Sequence, residues 1–156
     1  MRRIIKRETK DISILKRIRV AAYARVSSIK QTMLHSLSVQ VSYYNNLIGN
    51  RNDWELAGIF TDEALSGTKE DRPVFQQLLI ACRVGLVDMV ITKSISRFAR
   101  NTMLLLETVR ELKSLGVDVF FERENIHTIS AEGELLLTLL ASFAQEESRS
   151  VSENQK

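Results

Sequence analysis

From residue 18 onward the chain alternates between short runs rich in β-branched and aromatic residues and longer stretches whose apolar residues recur every three or four positions. Val20 to Tyr23 predicts a strand. Leu37, Val41, Tyr44 and Ile48 follow at helical spacing, with Ser36 as the candidate N-cap. A second strand is expected near Leu56 to Phe60; after a polar loop, Pro73 opens a helix whose face is Phe75, Leu78, Leu79 and Cys82. Val87 to Ile91 predicts a third strand. Leu105, Val109, Leu112 and Leu115 mark a helix that Gly116 stops, and Val117 to Phe121 is the fourth strand. Such alternation implies a mostly parallel sheet flanked by helices, open because there are too few units to close a barrel. The fold class is therefore α/β.

Residues 131 to 156 break the alternation and read as one long C-terminal helix. Leu135, Leu136, Leu139, Leu140 and Phe143 make its first half apolar over a wide arc, while the chain from Glu146 is polar except for Val151. An arc that wide buries against more than its own domain. The first half is expected to dock on the sheet and on a partner subunit, the second to leave the body. Residues 1 to 17 have no clean period and form a basic arm, so the domain proper is 18 to 156.

Composition narrows the class. A length of 156 residues suits one domain, and 44% apolar with 26% charged residues suits a globular one. The formal charge of +3 is misleading, because the first twenty residues hold eight Lys/Arg against Glu8 and Asp11, leaving the body slightly acidic. Phosphate binding must rest on where individual arginines sit. The lone Cys82 can make neither an internal disulfide nor a Cys-rich zinc site, which fits a reducing, cytoplasmic compartment. No apolar stretch has membrane-spanning length, and charged residues stand where a signal peptide needs its hydrophobic segment.

In an open parallel sheet, ligands bind beyond the carboxyl ends of the strands. The first strand delivers Arg25 and Ser27 there, the second Asp62, and the third runs into TKSISRFARN with Lys93, Arg97 and Arg100. Arg97 and Arg100 are three apart, so on a helical turn they share a face and can hold one anion between them. Arg72 stands just before a helix start, another position that favours phosphate. Guanidinium groups around a hydroxyl suit phosphoryl transfer, since planar, permanently charged donors clamp the anionic transition state. Ser27 is then the nucleophile. No histidine stands in either motif, so the base is unidentified.

Other residues carry less. His35 and His127 have no Cys, Asp or Glu at ligand spacing and read as surface or satisfied polar groups. Gly67, Thr68 and Lys69 lack the earlier glycine and the following Ser/Thr of a phosphate loop. Asp62 with Glu63 amid arginines is a poor magnesium site. Three rivals stay open on the residues alone: a non-enzymatic phosphate-sensing module, a metal-dependent nuclease, and a catalytically dead assembly domain.

The stretches YARVSSIKQ, SLSVQ, FTDEALSGTKEDRP, SISRFARN and SFAQEESRSVSEN, in that order, resemble the catalytic domain of the serine recombinases, the resolvase/invertase family, over residues 18 to 154. The last two stretches resemble the large serine recombinases of phages and conjugative transposons. The resemblance implies site-specific DNA recombination in which Ser27 attacks a phosphodiester to leave a 5′-phosphoserine link. It implies that Arg25, Arg97 and Arg100 grip the scissile phosphate, that Arg72 and Gln40 assist, and that Asp62 is a supporting acid. It implies no metal, ATP or other cofactor, and a homodimer that assembles into a tetramer on DNA. Ser96 stands where many resolvases carry aspartate, and Ser148 where they often carry arginine after the glutamate matched by Glu147. The long helix is expected to lead toward DNA-binding domains outside this sequence.

Overall fold

The computed structural model describes residues 16–27, 30–64, 72–99 and 101–154. The basic arm up to residue 15, the loop 65–71 with Gly67 to Lys69, and Arg100 lie outside the described residues. Ten elements follow in order. They are β1 (Ile18–Ser27), α1 (Lys30–Gly49), β2 (Trp54–Ala64), α2 (Pro73–Arg83), β3 (Met89–Thr92), α3 (Ile95–Phe98), α4 (Thr102–Ser114), β4 (Asp118–Phe121), β5 (Ile126–His127) and α5 (Ala131–Asn154).

The strands form one sheet in the order β2-β1-β3-β4-β5. The first four are parallel, and only β5 runs antiparallel, pairing Phe120 with His127. Strand alternation divides β1 between two cores. Ala21 and Tyr23 join Phe75, Phe98, Leu112 and Phe121 under α2, α4 and α5. Val20, Ala22 and Ala24 face the other way, onto Tyr44 and Ile48 of α1. A strand buried on both faces is apolar throughout, which is why β1 reads as a run rather than an alternation.

The expected helix faces on α2 and α4 are the buried ones, with two boundary corrections. Helix α1 begins at Lys30, so Ser36 lies inside it and is no N-cap. Leu115 caps α4 and is exposed, with Gly116 next to it in the left-handed region at φ 77°, as a helix-stopping glycine requires. Helix α5 packs through Leu137, Leu140 and Ala144 against α4 and the β5 edge of the sheet, as its apolar first half requires. Thr102 Oγ1 donates to Glu147, and Lys113 pairs with Glu134, holding the helix along α4. At its start, Gly133 sits against the backbone of the β5 turn so closely that a Cβ would lie 2.3 Å from the Thr128 carbonyl oxygen. No described helix is long and apolar enough to cross a membrane.

Candidate active site

Because β1, β3 and β4 run parallel, the chain leaves all three at the same edge, and the residues that follow converge. Arg25 lies near the end of β1 and is 6% exposed. Lys93 and Ser94 follow β3, Ser96 and Arg97 belong to the single turn of α3, and Arg123 follows β4. Together these six line a cavity of about 310 Å³. Four of them are cations and none is a carboxylate, so the cavity is electrostatically prepared for an anion. The β1–β2 register places Arg25 opposite Asp62 and Ser27, by its backbone, opposite Ala64. Ser27 is thus the last residue of β1, two positions beyond the arginine that lines the cavity.

The turn bearing Arg97 is fixed from both sides. Phe98 is wholly buried, edge-on to Phe75 and Phe121 with ring centroids 5.2 and 5.7 Å away. The Ile95 amide donates to Glu124 Oε1 at 2.8 Å, and Ser94 and Ser96 share a hydroxyl contact of 3.1 Å. Helix α3 ends at Phe98 and Ala99 is extended (φ −156°); the face expected to join Arg97 to Arg100 falls in part outside the described residues.

Arg72 and Asp62 sit beneath this rim. The Arg72 guanidinium lies 3.7 Å over the Phe75 ring centroid and donates to the Phe98 carbonyl, so it ties the entry of α2 to the α3 turn. Asp62 is 3% exposed, and its carboxylate accepts from Val74 N, Phe75 N and Tyr23 Oη at 3.0, 2.9 and 2.9 Å. Since Arg72, at the N-cap position, makes no side-chain cap bond, Asp62 caps α2 from a neighbouring strand. The N-terminal amides of Val74 and Phe75 are therefore already bound to a carboxylate. Burial holds the Tyr23 hydroxyl well above its ordinary pKa, against the pull of the Arg72 charge, and the bond to Asp62 adds to the rise.

Gln40 is not in the small cavity. It lines an adjoining groove of about 820 Å³ between α1 and the β4 turn, with His35, Ser36 and Tyr43, and this groove shares Lys93 and Arg123 with the cavity. Its floor is braced by Glu122, which accepts from the hydroxyls of both Tyr43 and Tyr44. The bond to Glu122 is the main reason the Tyr43 hydroxyl is pushed up to about 12. His127 is a satisfied polar group: its ring stacks on Phe120 and its Nδ1 donates to Asp118. Among the described residues, no three His, Cys, Asp or Glu side chains are grouped to hold a metal ion.

Sequence reasoning thus brought Arg25, Lys93 and Arg97 to one rim and missed Arg123. The rule that found the others applied to it equally, because Arg123 stands just past β4. It stands between Glu122 and Glu124, and no cationic motif accompanies it there.

Residues 20–156 match the family described as Resolvase, N terminal domain. The Transposon Tn3 resolvase of Escherichia coli is 31% identical over 136 residues, which make up 87% of this chain and 67% of that protein. The R46 site-specific recombinase of Escherichia coli is 30% identical over 136 residues, 87% of this chain and 65% of its own. The chain spans about two thirds of the length of these curated relatives. Among solved structures, a resolvase family site-specific recombinase from Streptococcus pneumoniae shares the fold with a TM-score of 0.73 at 28% identity, over 89% of this chain and 93% of that one. The N-terminal catalytic domain of TP901-1 integrase gives 0.63 at 28% identity, over 84% and 97%. With a cationic cavity at the strand ends and this match over nearly its whole length, the chain belongs to the resolvase family, as the catalytic domain of a serine site-specific recombinase.

Proposed function

We propose that Ser27 is the nucleophile of a DNA strand transfer that proceeds by two transesterifications. The Ser27 hydroxyl oxygen attacks the scissile phosphorus, the bond to the 3′ oxygen breaks, and the DNA 5′ end is left as a phosphoserine ester with a free 3′ hydroxyl. In the reverse step a 3′ hydroxyl from the partner site displaces the serine. The number of phosphate ester bonds is conserved throughout, so the sequence of steps draws on neither ATP nor a metal ion. Arg25, Arg97 and Arg100 hold the nonbridging oxygens as charge gathers on them, and Lys93 adds to the same field. Arg72 acts beneath by holding the α3 turn. Asp62 supports from the same depth, as the cap of α2, and Gln40 contacts DNA alongside the reacting phosphate.

The observation that carries this reading is the convergence of Arg25 from β1 with Lys93 and Arg97 from the segment after β3 on one cavity beside the end of the strand that holds Ser27. A metal-dependent nuclease that attacks with water, or a purely phosphate-sensing domain, has no need of a serine there. The test is a nicked suicide duplex incubated with the protein and resolved on a denaturing gel. A covalent adduct at the 5′ end is expected, persisting in EDTA and absent in Ser27→Ala. Loss of cleavage in EDTA, or an adduct that survives Ser27→Ala, overturns the reading. Removing Arg25 or Arg97 is expected to lower the rate by about 10²-fold or more, as for other transition-state donors.

We further infer that α5 mediates a homodimer, which pairs into a tetramer during strand exchange. Leu135, Leu139 and Phe143 recur every four residues along one side of α5 and are 61%, 45% and 55% exposed. A stripe of large apolar side chains on an amphipathic helix suits a second copy of the same helix. A Leu139→Glu variant that remained dimeric in sedimentation equilibrium would refute this.

A further inference from the structure

We propose that Arg123 binds a DNA phosphate next to the scissile one and so guides the strand from the reaction cavity into the groove beneath α1. The proposal rests on the recombinase reading and adds to it a contact that neither the sequence motifs nor the family match assigns.

Arg123 and Lys93 line both the 310 Å³ cavity and the 820 Å³ groove, whereas Arg25 and Arg97 line the cavity alone. The two shared cations therefore stand where one space opens into the other. Their loops are joined directly, the Arg123 amide donating to the Lys93 carbonyl at 2.8 Å, so they are carried as one unit. The acids flanking Arg123 are committed elsewhere. Glu122 accepts from Tyr43 and Tyr44, and Glu124 accepts from the Ile95 amide. Among the described residues no carboxylate pairs with the Arg123 guanidinium, and its side chain is exposed. An arginine held beside a second cation, with its neighbouring acids turned to other partners, is placed to accept an anion from outside.

The groove supports a nucleotide rather than a free ion. Val39 and Tyr43 of α1 are 53% and 48% exposed and offer apolar surface beside the polar Ser36 and Gln40. A cationic entry followed by an aromatic and polar wall is the combination that follows a nucleic-acid strand. The same arrangement gives the double hydrogen bond of Glu122 a purpose: it fixes α1 against the turn that carries Arg123.

The experiment measures binding of a short duplex containing the cleavage site by the protein with Ser27→Ala, so that no cleavage intervenes. Arg123→Ala is added and the salt dependence of both is compared. Loss of one phosphate contact is expected to reduce the slope of log K against log salt by about 0.9. Arg123→Lys, which keeps the charge, is expected to retain the parent slope. Neutral methylphosphonates are then placed singly around the cleavage point. The parent is expected to lose affinity at one flanking position where Arg123→Ala does not respond. If Arg123→Ala melts at a lower temperature than the parent, Arg123→Gln carries the same two measurements.

An unchanged slope in the Ala and Gln variants overturns the proposal, as does a difference confined to the scissile phosphate. Should the slope be unchanged while the Ser27-dependent adduct forms normally, only the assignment of Arg123 fails. Should no adduct form, the recombinase mechanism fails, and the salt slope still reads the Arg123 contact independently.

Discussion

Replacing Asp62 by alanine is expected to cost stability first and activity as a consequence. The carboxylate serves three donors at once, and each loses its partner in Asp62→Ala. The bonds from Val74 and Phe75 cap α2, and loss of such a cap costs about 0.5–2 kcal/mol. Tyr23 is wholly buried, and stranding its hydroxyl there costs about 1–3 kcal/mol more. The total is about 1.5–5 kcal/mol, which for a chain of this size lowers Tm by roughly 3–20 °C. Urea unfolding followed by circular dichroism reads this as a fall in midpoint at constant slope.

Tyr23→Phe separates the cap from the stranded hydroxyl. With Asp62 present, removing the hydroxyl costs about 1 kcal/mol, the worth of one buried hydrogen bond. With Asp62 already replaced, the same substitution removes a stranded donor and is expected to recover stability. The two changes are therefore coupled, with opposite signs for Tyr23→Phe in the two backgrounds. If Asp62→Ala unfolds within about 0.5 kcal/mol of the parent, or if Tyr23→Phe costs the same in both backgrounds, the carboxylate is not the cap argued above. A stable Asp62→Ala that has lost cleavage would then mark Asp62 as a residue acting on the reaction itself.

Gly133→Ala is expected to destabilise by about 1–3 kcal/mol in urea unfolding, since its methyl would meet fixed backbone at Thr128 and His127 with nothing flexible to yield. Cys82 is buried, which pushes its thiol up to about 11, so it is expected to stay unmodified by a thiol reagent at pH 8 until the protein is unfolded. The hydrogen bonds from Arg19 hold the Asp88 carboxyl below its ordinary value, so this pair's contribution is complete above the unfolded carboxyl pKa of about 4 and is lost as pH falls through the lower folded value. Asp88→Asn is expected to flatten that part of the acid limb in a series of melts from pH 5 to 2; an unchanged acid limb would show that the pair contributes nothing.

What could be read from the sequence is what a local period or a strand-end rule controls. Phe75, Leu78, Leu79 and Cys82 are buried as their spacing requires, because a helix face is set by residues within a few turns of one another. Arg25 and Lys93 meet because parallel strands share a carboxyl edge whatever their sequence separation. The two-residue β5 is too short to carry any period, and it went unseen. The start of α1 at Lys30 was also missed, since that helix extends two turns beyond its apolar repeat and Ser36 was an attractive cap in the wrong place.

The settings of Asp62 and Arg123 share a physical origin, and it explains why a charged residue's role is harder to read than an apolar one's. Burial follows from a residue's own side chain and its period, whereas the work of a charge depends on which partner claims it. Asp62 stands at the strand end, where it looks available to substrate, yet amides twelve and thirteen residues away and a hydroxyl from β1 occupy it. Arg123 stands between two acids, where it looks neutralised, yet tyrosines from α1 and the amide of α3 draw those acids off. In both cases the deciding contacts cross between elements far apart in the chain. The sign of the cavity is thus set as much by the removal of carboxylates as by the supply of arginines, and substitutions at Tyr43 or Tyr44 that release Glu122 are expected to weaken DNA binding without touching any cation. A double Tyr43→Phe, Tyr44→Phe variant with the parent's salt slope and affinity would show that Glu122 never competed for Arg123.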